Sequence, residues 1–216
     1  MFVLLFGPPG SGKGTQASAL AERLGVPHVA TGDIFRKHLR EGTALGKLAR
    51  SYMDRGQLVP DLVTCDLVAS RLGENDAAGG VLFDGFPRSV PQLYWVLGHL
   101  GATGRSLAHV VNLQVDDRLI LGRITGRRTC TNCGATYHVD SAPPDADGNC
   151  TRCGKPVVQR KDDTEEVVCD RLVAYAAQTF PCLEQLVGRV PVHNVDGVGS
   201  IEEVRVRIFS ALGLQA

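Results

Sequence analysis

Short, wholly apolar runs alternate along this chain with segments in which apolar residues recur every three or four positions. That is the rhythm of strands buried on both faces and joined by amphipathic helices, an α/β protein built on a parallel sheet. Residues 1–6, MFVLLF, show no alternation and predict a fully buried strand. Residues 15–24 place Ala17, Leu20, Ala21 and Leu24 on one helical stripe, with Gly25 positioned to end it. Further strands are predicted over 26–30, 81–84, 108–115 and 190–195, and helices over 34–40, 45–53, 62–72, 92–100, 116–124 and 201–212. Residues 165–187 predict one long helix that Pro181 must kink or break.

One segment departs from this rhythm. Residues 129–158 are rich in Cys, Gly, Pro, Asp and Thr and lack helical periodicity. An irregular insert of that length needs an internal reason to be ordered. Cys130-x2-Cys133-x16-Cys150-x2-Cys153 supplies one, because two C-x-x-C pairs at this separation match a four-thiolate zinc site. Gly134 and Gly154 follow the second cysteine of each pair, as a tight knuckle requires. A fully protein-ligated zinc leaves no position for water, so its role is expected to be structural. His138 is close enough in sequence to replace one thiolate, and that alternative stays open here.

Composition narrows the class. In 216 residues, 44% are hydrophobic, 21% are charged and the formal net charge is zero, which suits a globular domain and disfavours a protein built to coat nucleic acid. The start lacks the basic region and cleavage site of a secretory signal, and no run approaches the roughly 18–20 apolar residues of a membrane span. With seven cysteines and no signal, a reducing cytoplasmic setting is expected, which also disfavours disulfides in the insert. Cys65, Cys169 and Cys182 stand alone on predicted helices and read as packing residues, and the pair Tyr94-Trp95 reads as core.

The chemistry starts at GPPGSGKGT, residues 7–15, which follows a predicted strand and opens a helix. Backbone N–H groups of Gly10, Ser11, Gly12, Gly14 and Thr15 can converge there on phosphate oxygens, with the helix dipole assisting, and Lys13 adds a point charge. The general P-loop carries Ser or Thr directly after the lysine. Here Gly14 comes first and Thr15 second, which puts direct magnesium coordination by the loop in doubt.

This loop, together with TGDIFR (31–36), YMDRGQLVPD (52–61), DGFPRSVPQ (84–92), RITGRR (123–128), QRKDD (159–163), Arg171 and VDG (195–197), resembles the bacterial adenylate kinases of the nucleoside monophosphate kinase family almost end to end. The resemblance implies a P-loop fold with a five-stranded parallel sheet: core over 1–30, 61–126 and 161–216, a monophosphate-binding segment over 31–60 and a zinc-bearing lid over 127–160. It implies transfer of the γ-phosphoryl of magnesium-bound ATP to AMP. Lys13, Asp84, Arg88, Arg123, Arg127, Arg160 and Arg171 would be catalytic, with Asp84 reaching magnesium through water. ATP would meet residues 10–15, Arg123, Arg127, Thr136, Tyr137 and Gly199. AMP would meet Thr31, Arg36, Gln57, Leu58, Val59, Gly85, Phe86, Pro87, Arg88, Gln92, Arg160 and Arg171. Gln92 would read the adenine edge, with Thr31 near the same base.

Arg123 and Arg127, four apart, are expected to share a helix face. No His/Asp dyad offers a general base, and none is needed, since the AMP phosphate is already ionised at a second pKa of about 6. A UMP/CMP or broader monophosphate kinase is the alternative within the class. An ATPase whose zinc ribbon binds nucleic acid is the remote one. A monomer without a nucleic-acid or membrane partner is expected.

Overall fold

The computed structural model describes residues 1–215. Five strands form one parallel sheet: β1 (Phe2–Phe6), β2 (His28–Ala30), β3 (Val81–Asp84), β4 (Leu107–Gln114) and, last in the chain, β8 (Val192–Asp196), in the order β2-β3-β1-β4-β8. The unbroken apolar run of β1 is explained by its place at the centre. Phe2, Leu4 and Phe6 pack into one core with Phe83, Phe86 and Leu93, while Val3 and Leu5 pack into another with Leu20, Leu113, Ile208 and Phe209. The first core is covered by α4 (Asp61–Leu72) and α5 (Val90–Ala102). The second is covered by α1 (Lys13–Leu24) and α9 (Ile201–Ala211). The chain leaves β1 toward β2 and β3 on one side and later crosses to β4 on the other. The loop after Phe6 therefore opens where the strand order reverses, the usual ligand crevice of such sheets.

Two smaller clusters stand apart from these cores. Phe35, Ala49 and Val59 join α2 (Thr31–Arg40) to α3 (Ala44–Met53) and to the start of α4. In the insert, β5 (Arg127–Cys130) pairs antiparallel with β6 (Thr136–His138) and β7 (Val157–Val158), around Cys130, Ala135, Tyr137 and Cys150. The insert is thus a small sheet rather than wholly irregular.

All five core strands lie where the hydrophobic pattern predicts them, within two residues at each end. The helical region 165–187 is interrupted, but not at Pro181. It divides into α7 (Glu165–Ala174), a π turn over Tyr175–Thr179 and α8 (Phe180–Leu186). Pro181 lies in the first turn of α8, where its missing N–H would be unpaired anyway. The expectation that Arg123 and Arg127 share a helix face is also corrected. The helix α6 (Asp117–Thr125) ends at Gly126, and Arg127 opens β5, because the chain must turn there into the insert. Cys65 and Cys182 are buried as expected, whereas Cys169 is exposed. Trp95 packs edge-on to Phe86 at 6.1 Å, but Tyr94 is 47% exposed and donates to Gln185 Oε1. Among the described residues, no helix is long and apolar enough to cross a membrane.

The pair α2 and α3 approaches closely at Gly46. A Cβ there would lie 2.3 Å from the His38 carbonyl oxygen, a backbone atom that cannot swing aside. Gly46→Ala is expected to lower unfolding free energy by about 1–3 kcal/mol through overpacking. Denaturant titration checks this; an unchanged or increased midpoint would show that the two helices separate without loss.

Candidate active site

The loop between β1 and α1 wraps its own lysine. Lys13 Nζ donates to Gly7 O at 2.6 Å and Pro8 O at 2.8 Å. Gly10 and Gly12 have φ of 80° and 99°, and a Cβ on Gly10 would strike Ile124 at 2.6 Å. Only glycine takes that backbone in that space. The Lys13 side chain keeps some open surface, yet its ammonium lies deep, and burial lowers its pKa to about 8. Asp84 opposes that shift, while Arg88, Arg171 and Arg127 add to it. Those neighbours converge with Lys13 on one cleft.

The arginines are held in an order the sequence does not reveal. Asp163, fully buried, accepts from Arg127 Nε at 2.9 Å and from its Nη2 through the other oxygen, and lies 3.7 Å from Arg171. Asp162 accepts from Arg171 at 3.3 Å. Arg160 Nε donates to Thr129 Oγ1 at 2.9 Å. Burial, followed by repulsion from Arg36 and Arg127, lowers the Arg160 pKa to about 9, and burial lowers that of Arg171 to about 10. Arg123 stays with the core, donating to Gly197 O at 3.1 Å and Ser11 O at 3.4 Å. Asp84 ends β3 beside His28, whose Nε2 is 3.3 Å away.

Beside the loop lies a second cavity, lined by Thr31, Arg36, Gln57, Leu58, Val59, Gly85, Arg88, Gln92 and Arg171 among the residues expected to hold a monophosphate. Gly32, Phe35, Met53, Gly56, Thr64 and Asp162 also line it and were not foreseen. Phe86, Pro87 and Arg160 are not among its walls, and Phe86 belongs to the core. Arg88 is fixed along its backbone as well as its side chain. Its N–H donates to Gln92 Oε1 at 2.8 Å, its carbonyl accepts from Thr179 Oγ1 at 2.8 Å, and its Nε donates to Gly85 O at 2.7 Å. Thr179 ends the π turn, a local widening that places its hydroxyl on the Arg88 carbonyl. Thr31 Oγ1 is committed to Gly85 O.

In the insert, Cys130, Cys133, Cys150 and Cys153 bring their sulfurs within 4.8 Å of one another. The pairs Cys130–Cys153 and Cys133–Cys150 are 3.5 Å apart, too far for a disulfide bond. Tetrahedral zinc with bonds of about 2.3 Å requires sulfurs about 3.8 Å apart, so this set fits that ion. The Tyr137 hydroxyl bonds Cys150 Sγ at 3.2 Å and lowers that thiol's pKa, which favours a thiolate ligand. His138 is excluded from the set: its ring meets Gly122 O and the backbone N–H groups of Asp140 and Ser141 instead. Of the two residues expected to meet ATP from the insert, Thr136 is exposed, while Tyr137 is buried against the knuckle. Gly199, with φ 129°, lies just before α9, against Glu203.

The family model for adenylate kinase matches residues 5–188. This chain belongs to the adenylate kinase family. An adenylate kinase of Thermoanaerobacter sp. is 48% identical over 99% of this chain and 98% of its own length. One of Clostridium perfringens is 47% identical over 99% of each chain. One of Geobacter sp. is 46% identical over 98% of this chain and 99% of its own. Adenylate kinase membership agrees with the parallel sheet, the loop after β1 and the second cavity beside it.

Lys13 yields a test of the charge in this adenylate kinase cleft. Its pKa lies near 8 in the fold against an ordinary lysine value of 10.5, so between those pH values the folded chain holds fewer protons than the unfolded one. A bound polyphosphate reverses the shift. Binding of magnesium ATP at pH 8.5 is expected to take up a fraction of a proton, and affinity to fall as pH rises above about 8. Titration calorimetry in buffers of different ionisation enthalpy reads the uptake, which Lys13→Met should reduce. Proton release, or equal uptake in that variant, would contradict the assignment.

Proposed function

We propose that this chain transfers the γ-phosphoryl group of magnesium ATP reversibly to AMP, giving two ADP, and that the residues divide the work as follows. The observation that carries the reading is a group of cations, Lys13, Arg88, Arg127 and Arg171, beside a cavity whose lining of Arg36, Arg88, Arg171, Thr31 and Gln92 has the chemistry of a monophosphate site. The loop of residues 10–15 takes the β- and γ-phosphates, with Lys13 as the charge on the moving group. Asp84 holds the magnesium of ATP through water, and Arg123 keeps the loop joined to the segment before Gly199. Arg36 and Arg88 hold the acceptor phosphate. Arg127, Arg160 and Arg171 close on the phosphoryl group in flight. Gln92 reads the base, with Gln57, Leu58, Val59 and Gly85 forming the rest of its pocket.

Catalysis of this kind is alignment and charge stabilisation rather than proton transfer. Water competes as acceptor, so the segment 31–60 and the insert 127–160 act as covers that close before transfer. Zinc on the four thiolates gives the insert its order, and it acts in structure, not in chemistry. The protein works as a cytoplasmic monomer with nucleotides as its only partners. A UMP or CMP kinase is disfavoured by the retained Thr31 and Gln92 beside the base.

Two outcomes are expected. With ATP as donor, AMP should exceed UMP, CMP and GMP in kcat/KM by at least about tenfold, since a site built to hydrogen-bond one base rejects others strongly. Lys13→Met should remain folded with turnover down at least about a thousandfold. Equal use of the four acceptors, or near-normal turnover in the variant, would falsify the reading. Separately, Cys130→Ser should lower bound zinc from about one per chain and lower the melting temperature, because binding energy here is folding energy. Phosphoryl transfer should survive at low temperature. Full stability with all activity lost would instead place the metal in the chemistry.

A further inference from the structure

One wall of the acceptor cavity carries a buried polar network that phosphate binding does not require. Gln92 is 1% exposed, and both ends of its amide are engaged. Nε2 donates to Asp61 Oδ1 at 2.7 Å, and Oε1 accepts from the Arg88 N–H at 2.8 Å. The same Asp61 oxygen accepts from Ser89 Oγ at 2.9 Å. An ionised carboxylate only accepts, so the end of the amide turned toward it must be NH2. A backbone N–H only donates, so the other end must be the carbonyl. An amide orientation that is usually ambiguous is therefore fixed at both ends.

Each end still has one unused valence: a second hydrogen on Nε2 and a second lone pair on Oε1. Together they complement a 6-aminopurine, which sets a ring-nitrogen acceptor beside an amino donor. A 6-oxopurine carries an acceptor at position 6 instead, which would face the Gln92 carbonyl oxygen. Rotating the amide by half a turn would relieve that clash, and Asp61 opposes the rotation because its carboxylate would then face an oxygen. We propose that Asp61 is a specificity-determining positioning residue: by holding the Gln92 NH2 it selects 6-amino over 6-oxo purine monophosphates. This rests on the reading of Gln92 as the base-facing residue.

The test compares kcat/KM for AMP and IMP as acceptors, with magnesium ATP, in the wild type, Asp61→Ala, Asp61→Asn and Gln92→Ala. In Asp61→Ala the AMP-to-IMP ratio is expected to fall at least about fivefold, with KM for ATP unchanged. Asp61→Asn, which keeps an acceptor oxygen, should retain most of the ratio. Asp61→Ser, a residue suited to a helix start but too short to reach Gln92, replaces the alanine variant if that one does not fold. A lower melting temperature with the ratio intact would reduce Asp61 to a structural role and overturn the proposal. If Gln92→Ala lowers the ratio while the Asp61 variants do not, base reading by Gln92 stands and only the role of Asp61 falls. If neither changes the ratio, both fall.

Discussion

The cleft concentrates more positive charge than the protein itself neutralises. Lys13, Arg88, Arg160 and Arg171 all have lowered pKa values, first because burial strips them of water, and also because neighbouring cations, among them Arg36 and Arg127, repel them; Asp84, Asp162 and Asp163 only partly oppose this. Such an arrangement is costly until anions arrive, and polyphosphate is the anion whose geometry fits several donors at once. Asp162 and Asp163 offset part of that cost by pairing with Arg127 and Arg171. Removing a buried partner of this kind commonly destabilises by about 3–5 kcal/mol. The fold can be understood as the means of holding this charge in place.

Each element contributes at a definite point. The central strand β1 has no freedom to shift, because its two faces feed two cores, and it delivers the phosphate loop to the reversal in strand order. Arg88 is held from three sides, by Gln92, Thr179 and Gly85. The insert brings Arg127 to the cleft at the start of its small sheet and returns Arg160 beside Thr129 on that same strand. The sheet has few apolar residues, and its four cysteines gather in an arrangement that suits a metal ion.

Much of this was legible in the sequence where the signal is local. The strands were visible because a strand buried on both faces must be apolar throughout, and the loop because only a glycine-rich turn admits phosphate to the backbone. The four cysteines were visible because a four-thiolate site demands two close pairs at such a spacing. Where the reading failed, the helix ended sooner than spacing suggested, because the chain turns there into the insert. Spacing alone put Arg123 and Arg127 on one helix, but Gly126 ends it and sends them to different partners. Tyr137 is a separate case: spacing did not show that its hydroxyl bonds Cys150 and Thr151 and so helps to build the thiolate cluster.

What the sequence by itself determined is the α/β class, the phosphate loop, the thiolate set and, through its motifs, the family. Each of these depends on residue types at short or fixed spacing, which the chain carries before it folds. What only the tertiary structure decided is which side chains hold the functional ones still. Asp61 meets Gln92 across 31 positions, Thr179 meets Arg88 across 91, and Asp163 meets Arg127 across 36. No periodicity encodes such pairs, because they form only when packing of the two cores brings separate helices and strands to one place, and the orientation of a buried amide or guanidinium is set by whatever donor or acceptor that packing leaves beside it.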